Sequence, residues 1–491
     1  MSAGLLVVLL LQGLAGGRYG LFRDELYYLS NARVLAWGYV DHPPLSVWIL
    51  RAWIDLFGDA ALSVRALSLV VSLVSVVALG TLARELYDDD ATVALVCVSA
   101  AAMPVLRVVG TLYSPNTFEM LWWALSILIW VRCMRQEPSS RGSWALLGFV
   151  LGLTILNRLS GLWLCAALLV ATVVWQPSGV RESENPKSKI QNLKSAWIVP
   201  LVVLAVISPW LLWQREMGWP TLEFVRNANA HKLLPVTPWQ FVATQIVVTN
   251  PVVAALWIAA LWAGWRKPPE RAMVAGFCCV ALILIVNGRS RENYLSPAYA
   301  FVLPVGAHLL RSRARWLMPI IAVSGVLFGL ICLPILPAPV LARVLAAMPS
   351  PPSAEKGQKS VLQGLSDTMG WPEMTRTVAS VWKVMPGVTV MTNNYGEAAA
   401  LEYYGPAYGL PKLICPHNQF WLDGYGSWDG RAVLFVGEPP AALLAAFSSV
   451  RLVGRVDAPW AVPEEAHAGI WLLTDGRLPP GALWARLKRF E

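Results

Sequence analysis

Three carboxylates, a histidine and two adjacent tyrosines crowd one stretch near the N-terminus. They lie in Arg23-Asp24-Glu25-Leu26-Tyr27-Tyr28 and in Gly38-Tyr39-Val40-Asp41-His42-Pro43-Pro44-Leu45. Carboxylate and imidazole are the groups that accept protons near neutral pH and that suit divalent ions such as Zn or Mn. A protonated imidazole also pairs with phosphate. The stretch follows directly on an apolar N-terminal segment, and most of the remaining chain is apolar as well. Charge kept beside lipid is costly, so a charged cluster at that place marks a functional site.

The elements that must position this cluster are membrane helices. The chain has 491 residues, 56% of them hydrophobic and only 14% charged, where a soluble protein carries about 25% charged residues. Apolar runs reach the roughly 20 residues that a bilayer helix needs. Many of the 25 tryptophans stand near the ends of such runs, as at a membrane–water interface. The net charge of +9 comes from Lys and Arg in short loops between spans. That pattern follows membrane topology, and no nucleic-acid partner is expected. The seven cysteines show no CxxC pair and no metal spacing, hence no disulfide framework.

In chain order, residues 3–17 form an apolar signal anchor, and 18–65 a long first loop. Asp24 to Trp37 reads as a helix, Pro43-Pro44 breaks it, and Leu45 to Phe57 reads as an amphipathic interfacial helix. Spans follow at 66–83, 91–106 and 116–131. The 32-residue apolar run 144–175 is interrupted by Asn157-Arg158. It is either one tilted helix or a hairpin of two short ones. The hairpin gathers Arg132, Arg135, Arg141, Arg181, Lys187, Lys189, Lys194, Arg266, Lys267, Arg271, Arg311, Arg313 and Arg315 on one side, as the positive-inside rule asks. With further spans at 196–214, 239–264, 272–287, 296–310 and 316–336, the expectation is 11 transmembrane helices and a cytoplasmic N-terminus. The loops 18–65, 107–115, 157–158, 215–238 and 288–295 then share the extracytoplasmic face.

The division expected is a transmembrane domain over 1–345, a Pro/Ser/Lys-rich linker over 346–360 and a soluble α/β domain over 361–491. Strands are expected at Val388–Thr392, Lys412–Cys415, Ala432–Val436 and Gly469–Thr474, and helices at Glu373–Val384 and Glu397–Tyr404. Tyr395-Gly396-Glu397, His417 to Trp421 and Tyr425 to Trp428 interleave aromatic with polar side chains. Such a surface either binds sugar or fills a small core.

The Asp24-Glu25 pair in a first external loop, followed by Gly-Tyr-x-Asp-His-Pro-Pro-Leu, resembles bacterial glycosyltransferases related to protein O-mannosyltransferases and the lipid A aminoarabinose transferase. Gly218 to Phe224, Phe241 to Pro251 and Tyr294 to Tyr299 look like stretches of the same group, and the likeness covers about residues 1–310. The resemblance implies a GT-C membrane fold in the cytoplasmic (inner) membrane of a bacterium. It also implies a hexosyl or pentosyl transferase using a polyprenyl-phosphate sugar donor, with an envelope lipid, glycan or protein as acceptor.

Such a reaction needs a carboxylate to take the acceptor's proton and cations to stabilise the leaving phosphate. Asp24 is the candidate base, supported by Glu25, with Tyr27 and Tyr28 beside them. A bland alternative is that both acids merely favour a helix N-terminus. Where relatives place Lys against the donor phosphate, this chain has His42. Arg158, Arg289 and Arg291 are further candidate phosphate partners, since Arg matches phosphate oxygens bidentately; snorkelling to headgroups is the competing role. Where relatives often carry Asp, this chain has Asn116, with Glu119 one turn on. Tyr294 completes the loop set. Asp41 and His231 are the candidate ligands of a divalent metal ion. The first-loop carboxylates are expected to be complete without the soluble domain, whose role is then to position the acceptor. A transporter or flippase for a lipid-linked saccharide, or a non-catalytic binding protein, is the alternative. A transporter should show internal repeats, and the chain has none.

Overall fold

A computed structural model describes residues 1–135, 140–175, 194–266, 268–346 and 361–491. The expected linker, apart from Ala346, lies outside the described residues, as do Arg181, Lys187, Lys189 and Lys267. The first helices are α1 (Ser2–Ala15), α2 (Arg23–Arg33), α3 (Leu45–Phe57) and α4 (Ala61–Tyr87). Pro43-Pro44 separates α2 from α3, and α3 stops at Gly58, whose φ of +78° suits glycine. At 1.5 Å per residue the 27 residues of α4 run about 40 Å, longer than a hydrocarbon core.

Next come α5 (Asp90–Ala102), α6 (Pro104–Thr111), α7 (Pro115–Arg135), α8 (Arg141–Asn157) and α9 (Gly161–Val174). Asp89 caps α5 by accepting the Thr92 N–H at 2.7 Å. Pro104 lacks an N–H, and α5 and α6 meet there at 62°. Residues 107–111, expected as loop, are therefore helical. The apolar run 144–175 is two helices with the break at residues 158–160, in keeping with the hairpin reading. Gly148 and Gly152 let α8 lie against Val199 and Val206 of the helix Ile198–Glu216, the close approach that small residues permit between membrane helices.

Among the described residues, five helices are long and apolar enough to cross a bilayer, or six if α5 and α6 form one broken span. Eleven spans were expected; α1, α8 and α9 are apolar but shorter, at 14, 17 and 14 residues, and two other runs are broken. The run 239–264 is two helices, Pro238–Val248 and Pro251–Ala263, because Asn250 takes φ +72° ahead of a proline. The run 296–310 begins inside the 3₁₀ turn Glu292–Ala298 and is α-helical only over Tyr299–Leu309. In the helices spanning 198–216 and 311–332, only 17% of the apolar window is buried within the protein. Those apolar faces are left for lipid.

Basic residues gather at one end of the bundle. Arg132 reaches Glu85 at 2.8 Å, Arg135 reaches the Leu86 carbonyl at 2.9 Å, and His308 lies 3.3 Å from Arg311. Thr92, beside Asp89, is 3.4 Å from His308. At the other end sit α2, α3, the 158–160 tip and the soluble domain.

The soluble domain has a four-stranded sheet of β1 (Thr389–Thr392), β2 (Ala432–Val436), β3 (Phe447–Arg455) and β4 (Gly469–Gly476), in the order β1-β2-β4-β3. β1 and β2 are parallel, and the other pairs are antiparallel. Ile414 bridges to Met391 where a further strand was expected. The helices Trp371–Lys383 and Tyr395–Tyr404 match the two expected ones closely. A single apolar cluster joins Leu26, Tyr27, Tyr113 and Phe118 to Trp371, Ala399, Leu401 and Phe420. The soluble domain thus shares a core with the first loop. All seven cysteines are free, and each is buried or half-buried.

Candidate active site

Glu25 anchors the first loop. Its Oε2 accepts the Phe22 N–H at 2.8 Å, which closes a capping interaction at the start of α2. Arg65 donates to Oε2 at 3.0 Å and to Oε1 at 3.3 Å, and the Tyr113 N–H reaches Oε1 at 2.9 Å. Two donors sit on each oxygen, and neither Glu25 nor Arg65 has a side chain more than 1% exposed. Arg65 also donates to the Gly16 and Tyr19 carbonyls at 3.2 and 3.1 Å. Glu25 therefore supports the loop that carries Asp24 and has no free lone pair for a substrate proton.

Asp24 is half-buried in the first turn of α2. Its Oδ1 accepts a hydrogen bond of 2.9 Å from the Tyr395 hydroxyl of the soluble domain. This corrects the expectation that the first-loop carboxylates stand without that domain. Arg23, next in sequence, pairs with Asp367 of the soluble domain at 3.4 Å and lies over the Tyr395 ring at 5.6 Å. Burial first, and also the Asp24 carboxylate, holds the Tyr395 phenol well above its ordinary range, against the pull of Arg23. Tyr395 is therefore a donor at any physiological pH.

The Gly38–Leu45 stretch folds back on α2. The Tyr27 hydroxyl donates to Asp41 Oδ1 at 2.8 Å and accepts the Gln419 N–H at 3.2 Å. His42 is buried, with Nδ1 3.0 Å from the Pro43 carbonyl and Nε2 3.2 Å from Asn31 Nδ2. That network makes Nδ1 the protonated nitrogen and Nε2 an acceptor. Both nitrogens are occupied, so His42 does not present a donor to phosphate, contrary to the expectation. Tyr28 packs edge-on against His42 at 5.0 Å.

A second focus lies at the hairpin tip. Arg158 donates to Glu119 Oε2 at 2.6 Å and to Asn116 Oδ1, and its guanidinium lies 5.1 Å over the Tyr294 ring. Ser160 donates to the other Glu119 oxygen. Arg158 thus already has a carboxylate partner within the protein. Burial, Asp24 and Asp41 push the Tyr28 phenol well up, and Arg158 pulls it down.

Other expected residues lie in different surroundings. Arg289 donates to the Asn229 carbonyl and so ties the loop after residue 287 to the loop that holds His231. Arg291 stands at the N-cap position of the turn Glu292–Ala298, without a side-chain capping bond. His231 is exposed, within the π-helical turn Ala228–Lys232. Among the described residues no group of three or more His, Cys, Asp or Glu is arranged to hold a metal ion, and Asp41 is already engaged by Tyr27.

Sequence reasoning missed Arg65, Tyr113, Tyr395 and Gln419 as parts of this site. An arginine near the start of an apolar span was a usable signal for Arg65. So was the capping box Asn394-x-x-Glu397, observed at the start of the helix Tyr395–Tyr404, which fixes Tyr395 as a first-turn residue.

Residues 41–213 match the family of dolichyl-phosphate-mannose-protein mannosyltransferases. An undecaprenyl phosphate-alpha-4-amino-4-deoxy-L-arabinose arabinosyl transferase of Pseudomonas fluorescens (strain Pf0-1) is 24% identical over 322 residues, which is 61% of this chain and 53% of that protein. The chain spans about half the length of that curated relative. ArnT from Cupriavidus metallidurans shares the fold in two crystal structures. The apo form superposes with a TM-score of 0.62 and the form bound to undecaprenyl phosphate with 0.63. Each does so at 14% identity, over 96% of this chain and 97% of that one. The GT-C fold expected from the first-loop motif is the fold observed, with a small sheet domain at its C-terminal end.

Proposed function

We propose that the chain is an integral-membrane glycosyltransferase that moves a sugar from a polyprenyl-phosphate donor to an envelope lipid, glycan or protein, with inversion. Its active face is extracytoplasmic and lies in the inner membrane of a bacterium. The observation that carries this reading is Asp24: a half-buried carboxylate in the first turn of α2 with one oxygen held by the Tyr395 hydroxyl. Asp24 takes the proton of the acceptor hydroxyl as that oxygen bonds to the anomeric carbon. The bond from that carbon to the phosphate oxygen breaks, and polyprenyl phosphate leaves with the electron pair. Arg158 stabilises the phosphate charge as it develops. The sequence likeness to an arabinosyl transferase favours a pentosyl donor over a hexosyl one.

The test is incubation of the purified protein with a radiolabelled undecaprenyl-phosphate pentose and a lipid A acceptor. Release of undecaprenyl phosphate together with labelled acceptor is expected. Tight donor binding without release, using either pentose or hexose donors and lipid, glycan or protein acceptors, supports the binding-protein alternative and overturns the enzyme.

A further inference from the structure

We infer that the soluble domain is part of the catalytic centre, with Tyr395 as the positioning residue of Asp24. The inference rests on the reading of Asp24 as the base. Three observations lead to it. The Tyr395 hydroxyl donates to Asp24 Oδ1 at 2.9 Å across 371 residues of sequence. A second strand of the same contact runs from the Gln419 N–H to the Tyr27 hydroxyl at 3.2 Å, and on to Asp41 at 2.8 Å. Asp24 and Asp41 are thus both tied to the soluble domain, one directly and one through Tyr27.

Third, the surroundings fix Tyr395 itself. Its ring lies 4.8 Å from Tyr27 and 5.1 Å from His417. It occupies the first turn of its helix, which Asn394 and Glu397 cap reciprocally. Gly396, beside it, has no side chain because a Cβ there would strike Arg23. That close approach seats the helix end on α2.

The chemistry follows from the shape of a carboxylate. Tyr395 immobilises Oδ1 and leaves Oδ2 as the oxygen that receives a proton, so the acceptor hydroxyl meets a fixed lone pair rather than a rotating group. The role belongs to orientation. Phenylalanine at this position keeps the ring packing and loses only the hydrogen bond.

The experiment compares wild type, Tyr395→Phe and Asp24→Asn as full-length proteins in detergent, in the donor–acceptor assay above. Tyr395→Phe is expected to lower kcat on the order of tenfold to a hundredfold, the weight of a hydrogen bond to a charged group. KM for the donor should stay unchanged. The acidic limb of the kcat profile should move to higher pH, because a carboxylate that loses a donor holds its proton more tightly. Asp24→Asn should be inactive. If Asp24→Asn is inactive while Tyr395→Phe matches wild type in kcat and in pH profile, the positioning role is overturned and the base stands. If Asp24→Asn turns over normally, the base assignment itself falls.

Discussion

Arg65 and Glu25 form a fully buried ion pair, 3.0 Å long, at the junction of the first loop with the membrane bundle. The pair joins the start of α2 to the start of α4, and through the Tyr113 N–H it also reaches the turn before α7. Asp24 is the next residue to Glu25, so the position of the base depends on this pair.

Removing one partner of a buried pair leaves an uncompensated charge and costs roughly 3–5 kcal/mol. Arg65→Ala is therefore expected to lower thermal stability strongly in detergent. Glu25→Gln keeps an oxygen for only one of the Phe22 and Tyr113 N–H groups and leaves Arg65 without its counter-charge, so it should lower stability as well. Thermal melts of the three proteins check both. Equal melting temperatures for Arg65→Ala and wild type would remove the anchoring role.

Asp24→Asn keeps the size of the side chain and an acceptor for Tyr395 but cannot take a proton. Loss of a positioned general base costs about 10²–10⁴ in turnover. Donor binding and folding should be unchanged, as measured by labelled-lipid binding and by melting. Near-wild-type turnover in a well-folded Asp24→Asn protein would exclude the assignment.

Arg158 is shared between Glu119 and the site. Arg158→Ala is expected to weaken binding of undecaprenyl phosphate by on the order of tenfold. Glu119→Gln should bind it as tightly as wild type or more tightly, since the guanidinium then has no internal carboxylate competing for it. Unchanged affinity in Arg158→Ala would make Arg158 a structural partner of Glu119 alone.

Much of this arrangement was legible because it is written locally. The polar pair Asn157-Arg158 inside an apolar run marks the hairpin turn, and β1, β2 and β4 stand out as short apolar runs between turn residues. What was missed depends on distant partners or on single backbone angles. β3 carries mostly exposed side chains, so it shows little apolar patterning. The break at Asn250 rests on one positive φ within an otherwise apolar run. His42 looked available until Asn31 and the Pro43 carbonyl were seen on its two nitrogens. Tyr395 carries no sequence sign of Asp24, because only the packing of the soluble domain on α2 brings them together.

The soluble domain should lose stability as pH rises past neutrality. Burial, reinforced by Glu465, pushes the Glu397 carboxyl up to about 8, and burial raises Glu465 to about 7. Between pH 6.5 and 8 the unfolded chain has already released these protons while the folded chain still holds part of them. Stability then falls with rising pH, by on the order of 1 kcal/mol per pH unit for each proton retained. His417, held neutral by burial and Arg489, acts in the opposite sense and only below its ordinary range. Glu397→Gln has no proton to release and should flatten the decline over that window. Melts of the full-length protein at pH 6.5 and 8 measure it, and an equal decline in the variant would refute the assignment.

The seven free cysteines, none of them exposed, have a practical meaning. Burial lifts the Cys415 thiol to about 12, so the soluble domain carries almost no reactive thiolate. Single cysteines introduced at exposed loop positions would therefore be the sites at which a charged maleimide reacts. The soluble domain, whose single cysteine is buried, already serves as a silent background for such labelling.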